Sequence, residues 1–378
     1  MPSYIGPNTS GEENLVFAYD LDNRDNSYKG RPAMNLVPDA ATMTNWSSYS
    51  AGNNGTFITE FGTVGYQVRR KDTWNGLHKA ITLPATGTYT ISAWFRIWDK
   101  TSGNNGINVY TNGGGIGDTA QGGDDTRIGE WQKISMTRTY TTTSITFFII
   151  SWGGTRGTDW SSWDVTMPQI EAGSESSSFV DGTRTATDSL LDITGNNIID
   201  ISNVSFDSNE QITFDGTDDY INAGISDVWN FGENGTLEMM VKPENSTGNN
   251  RLWCIDNNPN NLDAYLNSSG YNVYMHGGLV GTTTPLTQNQ WNHLTVTYSG
   301  GTIQIYINGV AGTMAGTTTG YNITNPSSNN SNLYIGCYRN LGYNLQGDVG
   351  LFKIYNRGLT AEEVNQNFRS VKSRFNIA

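Results

Sequence analysis

The chain has 378 residues, of which 15% are charged and 11% aromatic, with 44 glycines. A disordered chain would be charge-rich and aromatic-poor, so this one folds, and its length allows two domains with separate cores. Its 22 basic residues against 35 acidic ones give a net charge of −13 without a basic cluster, which argues against a nucleic-acid partner.

Abundant Thr, Tyr, Trp and Asn with Gly throughout predict short strands joined by tight turns, hence an all-β chain. The opening residues lack the basic start and apolar core of a secretory signal. The longest apolar run, 145–152, is too short to span a bilayer and reads as a buried strand, so no membrane insertion is expected.

Alternating patterns bounded by Gly, Asn, Asp and Pro predict strands at 15–21, 65–71, 88–98, 131–140, 145–152 and 165–171. A second set follows at 211–214, 236–242, 251–255, 272–276, 291–298, 303–307, 333–338 and 349–355. Ser299-Gly300-Gly301-Thr302 reads as a hairpin turn, because paired glycines reach the positive φ that a two-residue loop needs. Near the C-terminus, Thr360 and Glu363 form a capping box, and Val364, Phe368 and Val371 then fall on one helical face. That helix should lie against a sandwich. Gly87–Ser92 followed by Trp131–Thr137 has a counterpart in Gly235–Met240 followed by Trp291–Thr297, a faint repeat that shared strand composition would also produce. Cys254 and Cys337 are expected to be free buried thiols, with pairing across neighbouring strands the alternative.

Several motifs in the second half occur in a telling order. They are Phe214-Asp-Gly-Thr-Asp-Asp-Tyr-Ile221, Trp291-Asn-His-Leu294, Ile305-Tyr-Ile-Asn-Gly309, Leu333-Tyr-Ile-Gly336 and the stretch from Phe352 to Val364. This half resembles the concanavalin A-like/laminin G-like jelly rolls common in bacteriophage virion proteins. Asn14–Asp20 with Ser27-Tyr28 looks like the opening strand of the same domain, but the turn that should follow appears only at Leu190–Asn196. The resemblance therefore implies a domain split into 1–33 and 184–378, with a second jelly roll, 34–183, inserted. The insert resembles carbohydrate-binding modules through Asn35–Pro38, Gly129–Gln132 and Gln169–Phe179. The fold expected is two antiparallel β-sandwich (jelly-roll) domains plus a short C-terminal helix.

Catalysis is not expected. Glucanases of this superfamily carry several carboxylates on one strand, whereas 236–242 offers only Glu238. Glu171 and Glu175 read as a solvated strand end, and His293 as an outward or pocket-rim residue beside Leu294. Neither His78, His276 nor His293 lies in a metal or nucleophile motif. Gly113–Asp118 has no following helix to hold a phosphate and reads as a surface loop.

Sugar binding would use flat aromatic rings against the C–H faces of the sugar, with amides and carboxylates at its hydroxyls. Residues 151–163 concentrate Trp152, Trp160 and Trp163 with Arg156 and Asp159, although one or two of these rings could instead cap the core. Tyr338, Arg339 and Tyr343, with Asn340 and Asn344, form a smaller candidate. Lectin-like sandwiches often hold calcium, for which Asp215, Asp218 and Asp219 are candidate ligands, alongside the clusters at 124–125 and 256–263. The same residues are good turn formers, and that alternative stays open. The expected function is a non-enzymatic phage virion decoration protein, assembled in the host cytoplasm and displayed on capsid or tail, with other virion proteins and host-surface polysaccharide as partners. A purely structural virion protein, or a carbohydrate-binding accessory of a polysaccharide-degrading system, is the alternative. Homo-oligomerisation is left open, with no heptad to impose it.

Overall fold

A computed structural model describes residues 14–48, 54–72, 75–103, 106–113, 119–151, 155, 158–206, 212–225, 229, 232–245, 250–255, 262–266, 272–275, 280–323 and 332–377. The chain is nearly all-β and divides into two compact units. One is contiguous, Pro32–Thr185; the other is split, combining the chain up to Arg31 with the chain from Ala186 onward.

The split unit packs two eight-stranded antiparallel sheets around one core. The long strand Gln346–Tyr355 is central to the first sheet. Gly235–Pro243 pairs with it along one side, while Leu15–Asp20 and Ile212–Asp215 share the other. The first strand therefore meets the last, from Leu15 opposite Tyr355 to Asp20 opposite Leu351, with a register shift between Leu15 and Phe17. The Leu190–Asn196 turn locks this junction. The Asp192 carboxylate accepts from the Ala18 amide (3.0 Å), from Thr194 Oγ1 (2.7 Å) and from Asn197 Nδ2 (2.8 Å). The second sheet runs through Tyr220–Ile225, Asn332–Ile335, Arg251–Ile255, Leu262–Leu266 and Asn272–Met275. Phe17, Leu237, Trp253, Val296 and Phe352 fill the space between the sheets.

Gly300 and Gly301 adopt φ of 53° and 71° between the paired residues Ser299 and Thr302, so the hairpin forms as expected. The C-terminal helix spans Ala361–Val371. Its capping box is present: the Glu363 amide donates to Thr360 Oγ1 (3.3 Å), and the Thr360 amide donates to Glu363 Oε2 (2.9 Å). Arg357 grips both Glu363 oxygens at 2.7 Å. Val364 packs with Tyr306, Tyr355 and Leu359, and Val371 with Met240 and Leu351, so the helix covers the outer face of the first sheet. Thr360→Ala should cost about 1 kcal/mol in a denaturant melt, because it orphans one amide of the first turn. No change would show that the Arg357–Glu363 pair alone sets the helix start.

The contiguous unit faces two five-stranded antiparallel sheets against each other. One is ordered Gln132–Tyr140, Gly87–Lys100, Trp160–Ala172, Val64–Asp72, Asn54–Ile58; the other is built around Ser144–Ser151 and Gly76–Thr82. Asn35 ties the unit's beginning to its end. Its Nδ2 donates to the Pro168 and Val180 carbonyls (3.0 and 3.1 Å), and its Oδ1 accepts from the Ile170 amide (3.1 Å). Each half of the sequence repeat is a pair of adjacent strands: Ile134 lies opposite Ala93 in this unit, and Leu294 opposite Met239 in the other.

Candidate functional site

The outer face of the first sheet of the contiguous unit carries an aromatic strip. Along Gly87–Lys100, alternation sends Phe95 and Ile97 into the core and leaves Trp94, Arg96 and Trp98 on the opposite side. Phe61 comes from the turn between Asn54–Ile58 and Val64–Asp72. Gly62 supplies the positive φ (78°) and donates its amide to the Thr59 carbonyl (3.0 Å), so the turn presents Glu60 and Phe61 outward. Trp131 precedes the edge strand Gln132–Tyr140, where the Gly129 amide anchors the loop to the Ile97 carbonyl (2.8 Å). Phe61 then lies 5.8 Å from Trp94 and 5.5 Å from Trp131, centroid to centroid. The Arg96 guanidinium stands 4.6 Å from Trp131 and 4.2 Å from Trp98. Trp94, Phe61, Trp131, Arg96 and Trp98 thus form one continuous row, with Phe61 45% and Trp98 42% exposed.

Two carboxylates hold the row rigid. Buried Asp164 accepts from Arg69 Nη1 (2.6 Å), Arg96 Nη2 (3.1 Å) and Trp98 Nε1 (2.8 Å). Glu60 Oε1 accepts from Arg96 Nη1 (3.0 Å) and from Trp131 Nε1. Its own backbone amide, with Trp131 and Arg96, keeps the Glu60 carboxyl below its usual range. Preoriented rings with charged groups at their edges can stack on sugar C–H faces and bond hydroxyls, with little side-chain freedom left to lose. Sequence reasoning missed this site, although the period-two pattern Trp94-x-Arg96-x-Trp98 lies within a strand it recognised.

The expected platform at 151–163 is described only in part. Trp152 and Arg156 lie outside the described residues. Asp159 accepts from the Thr155 amide (2.6 Å) and Thr101 Oγ1 (2.8 Å); the first of these chiefly lowers its carboxyl pKa. Trp160 is half-buried where its strand begins. Trp163 is a correction: it is fully buried, because alternation along Trp160–Ala172 turns it inward with Val165, opposite Ile97 and Val68 on the flanking strands. It cannot stack on a ligand.

In the split unit the smaller candidate comes together around a residue the sequence did not single out. Arg251 places its guanidinium 4.3 Å from the Tyr265 ring, 4.7 Å from Tyr338 and 5.3 Å from Tyr343, with Asp263 3.3 Å away. Arg339 lies 5.3 Å over the Tyr338 ring. The Arg251 amide donates to the Tyr343 carbonyl (2.7 Å), and Asn250 Nδ2 to the Asn344 carbonyl (2.6 Å). These contacts hold Leu341 and Tyr343 at positive φ (61° and 56°) and leave both exposed. Arg251 ties the loop to the sheet, while the Tyr343 ring stays 51% exposed.

Asp215, Asp218 and Asp219 do bring their carboxylate oxygens within 4.8 Å of one another. Asp219 accepts from the Asp215 amide (2.9 Å) and Ser205 Oγ (3.1 Å), and Asp215 from the Thr217 amide (2.7 Å). Burial, with the neighbouring carboxylates adding, raises the Asp219 carboxyl. These bonds are those of a turn built on Asp215 and Asp219.

Other expectations need correcting or placing. Glu171 is buried, not solvated, and accepts from Gln169 Nε2 (2.8 Å) and the Ser177 amide (2.6 Å); Glu175 is exposed. His293 is not at a rim. It points outward from its sheet, but the C-terminal helix covers it, with Phe368 at 5.7 Å and Glu238 Oε1 at 3.2 Å. Glu238 itself is fully buried there and unavailable for attack on a glycosidic bond. His78 stacks on Phe148 at 5.4 Å, while His276 and residues 114–118 lie outside the described residues. Cys254 and Cys337 are buried and form no disulfide; burial, with Cys254 nearby, pushes the Cys337 thiol up to about 12. No described helix is long and apolar enough to cross a membrane.

No curated protein matches the chain. Similar solved structures include domain 4 of an extracellular arabinanase from Geobacillus stearothermophilus, in complex with arabinotriose. It is 18% identical over 48% of this chain and 92% of its own, with a TM-score of 0.36. A Trypanosoma rangeli sialidase is 17% identical over 49% of this chain and 31% of its own (TM-score 0.38). The binding domain of Paraclostridial mosquitocidal protein 1 is 18% identical over 48% and 49% (TM-score 0.36). The chain covers less than half of each of the last two. Residues 215–365, the larger part of the split unit, match the concanavalin A-like lectin/glucanases superfamily.

Proposed function

We propose that this is a non-enzymatic glycan-binding protein whose contact surface is the Trp94–Phe61–Trp131–Trp98 strip. The observation that carries this reading is a continuous row of outward rings, held by Asp164 from beneath and by Glu60 within the row, on a sheet whose other face is already a complete core. Trp98→Ala should weaken retention on a bound polysaccharide at least about tenfold, or about 1.4 kcal/mol. Because Trp98 is exposed and its partners remain, stability should move by less than about 1 kcal/mol. Affinity electrophoresis and a thermal melt on the same variant check both, and unchanged retention would remove the strip from function.

The finer setting follows the sequence resemblance. In it, the protein decorates a phage virion, on capsid or tail, and the strip meets host-surface polysaccharide. The motif order from Phe214 to Val364 supports that setting. Mass spectrometry and immunogold labelling of purified particles test it; a protein absent from particles would leave a glycan-binding protein of another context. Calcium remains a proposal for the Asp215–Asp219 turn, to be checked by a calcium-dependent shift in melting temperature.

A further inference from the structure

We propose that the strip takes an internal stretch of an uncharged glycan chain, several sugars long, and discriminates against acidic polysaccharides. The inference rests on reading the strip as the glycan platform, and charge and extent carry it.

Two guanidinium groups stand in or beside the row, and an uncompensated arginine there would be a bidentate anchor for a uronate. Both are already paired. Arg96 is fixed between Glu60 Oε1 (3.0 Å) and Asp164 Oδ2 (3.1 Å), and Arg69 lies on Asp164 Oδ1 (2.6 Å). Lys133, opposite Trp94 across the strand register, turns its ammonium to the Ser177 carbonyl (2.6 Å). Further basic groups nearby are paired as well: Lys100 with Asp125 (3.0 Å) and Arg127 with Glu130 (2.6 Å). The most exposed of these paired charges is Glu60, whose side chain is 50% exposed against 39% for Arg69 and 13% for Arg96. An acidic sugar would meet no unpaired guanidinium in the row, only the more exposed carboxylate of the Glu60–Arg96 pair. Neutral hydroxyls face no such penalty and can donate to that same carboxylate.

The row is also longer than one pyranose ring. Trp94 and Trp98 are four residues apart on one extended strand, a rise of about 13 Å, and Phe61, Trp131 and Arg96 fill the interval. Rings inclined at 53° and 59° to one another over that span present more than one stacking position to a chain, whereas a single terminal sugar would use only one of them.

The test uses the full chain in calorimetry against two probe series, neutral xylo-, cello- and manno-oligosaccharides and oligogalacturonides, each from one sugar to six. In at least one neutral series, affinity should rise at least about tenfold between the monosaccharide and the trisaccharide. It should also hold within about twofold from about 50 to about 500 mM salt. Oligogalacturonides of equal length should bind at least about tenfold more weakly, and Glu60→Gln should narrow that gap. Oligogalacturonides bound as tightly as neutral chains, and lost in Trp98→Ala, would overturn neutral selection while leaving the platform standing. A monosaccharide bound as tightly as its trisaccharide would overturn the chain reading. Binding indifferent to Trp98→Ala, or none across the panel, would overturn the platform itself.

Discussion

Trp163→Ala should cost the contiguous unit about 3–5 kcal/mol, the toll of emptying a fully buried aromatic site. The ring lies in the core with Val68, Ile97 and Val165, where neighbours on both flanking strands are fixed by register and cannot collapse into the space. Peptide-resolved hydrogen exchange on the full chain should show protection falling across 54–172 while 235–243 and 346–355 keep theirs. Any loss of glycan retention should follow the loss of structure. Trp98→Ala should do the reverse, losing retention while keeping protection. If Trp163→Ala abolished retention with protection intact, the ring would be a ligand contact and its burial here would be misleading.

That contrast shows what sequence could and could not deliver. Three tryptophans within 152–163 draw attention by density, yet strand alternation is the physical rule that decides which rings reach solvent. Period two already separates Trp163 and Val165 from Asp164. Which of those sides is the core depends on the sheet opposite, and no local pattern supplies it. The same limit hid the strip. Trp94, Arg96 and Trp98 were visible on a recognised strand, but Glu60 and Phe61 arrive from a turn distant in sequence, and Asp164 from a third strand. Arg251 was equally silent, since its role is set by tyrosines on other strands and on the 338–344 loop.

Local devices were fully legible. The Gly300-Gly301 turn and the Thr360–Glu363 box need only neighbouring residues, and both form. His293 lies between these cases. Its outward direction was readable from Leu294 beside it, and so was the helix's apolar stripe at Val364, Phe368 and Val371. What could not be read was that the stripe settles over His293, which turns an outward residue into a buried one.

Beneath that helix lies the group whose titration should dominate the split unit's acid sensitivity. Burial alone would push the Glu238 carboxyl up. Lys353 Nζ at 3.5 Å, His293 at 3.2 Å and the Asn367 amide donating to Oε2 at 2.8 Å outweigh it, bringing the pKa from 4.5 down to about 2. A carboxylate depressed by folding stabilises the native state above its unfolded pKa, and that contribution disappears as pH falls through the folded one. The split unit should therefore lose about 3 kcal/mol between about pH 5 and about pH 2 on account of this residue. Glu238→Gln should cost about 3–5 kcal/mol near neutrality, because it leaves the largely buried Lys353 ammonium without its counter-charge. The variant should also lack the acid step, so that denaturant midpoints of the two proteins converge as pH approaches 2. Asn367 belongs to the helix, so weakening this cluster should loosen the helix first, before the sheet beneath it. Parallel pH profiles for wild type and Glu238→Gln would place the acid sensitivity in other carboxylates and reduce the cluster to packing.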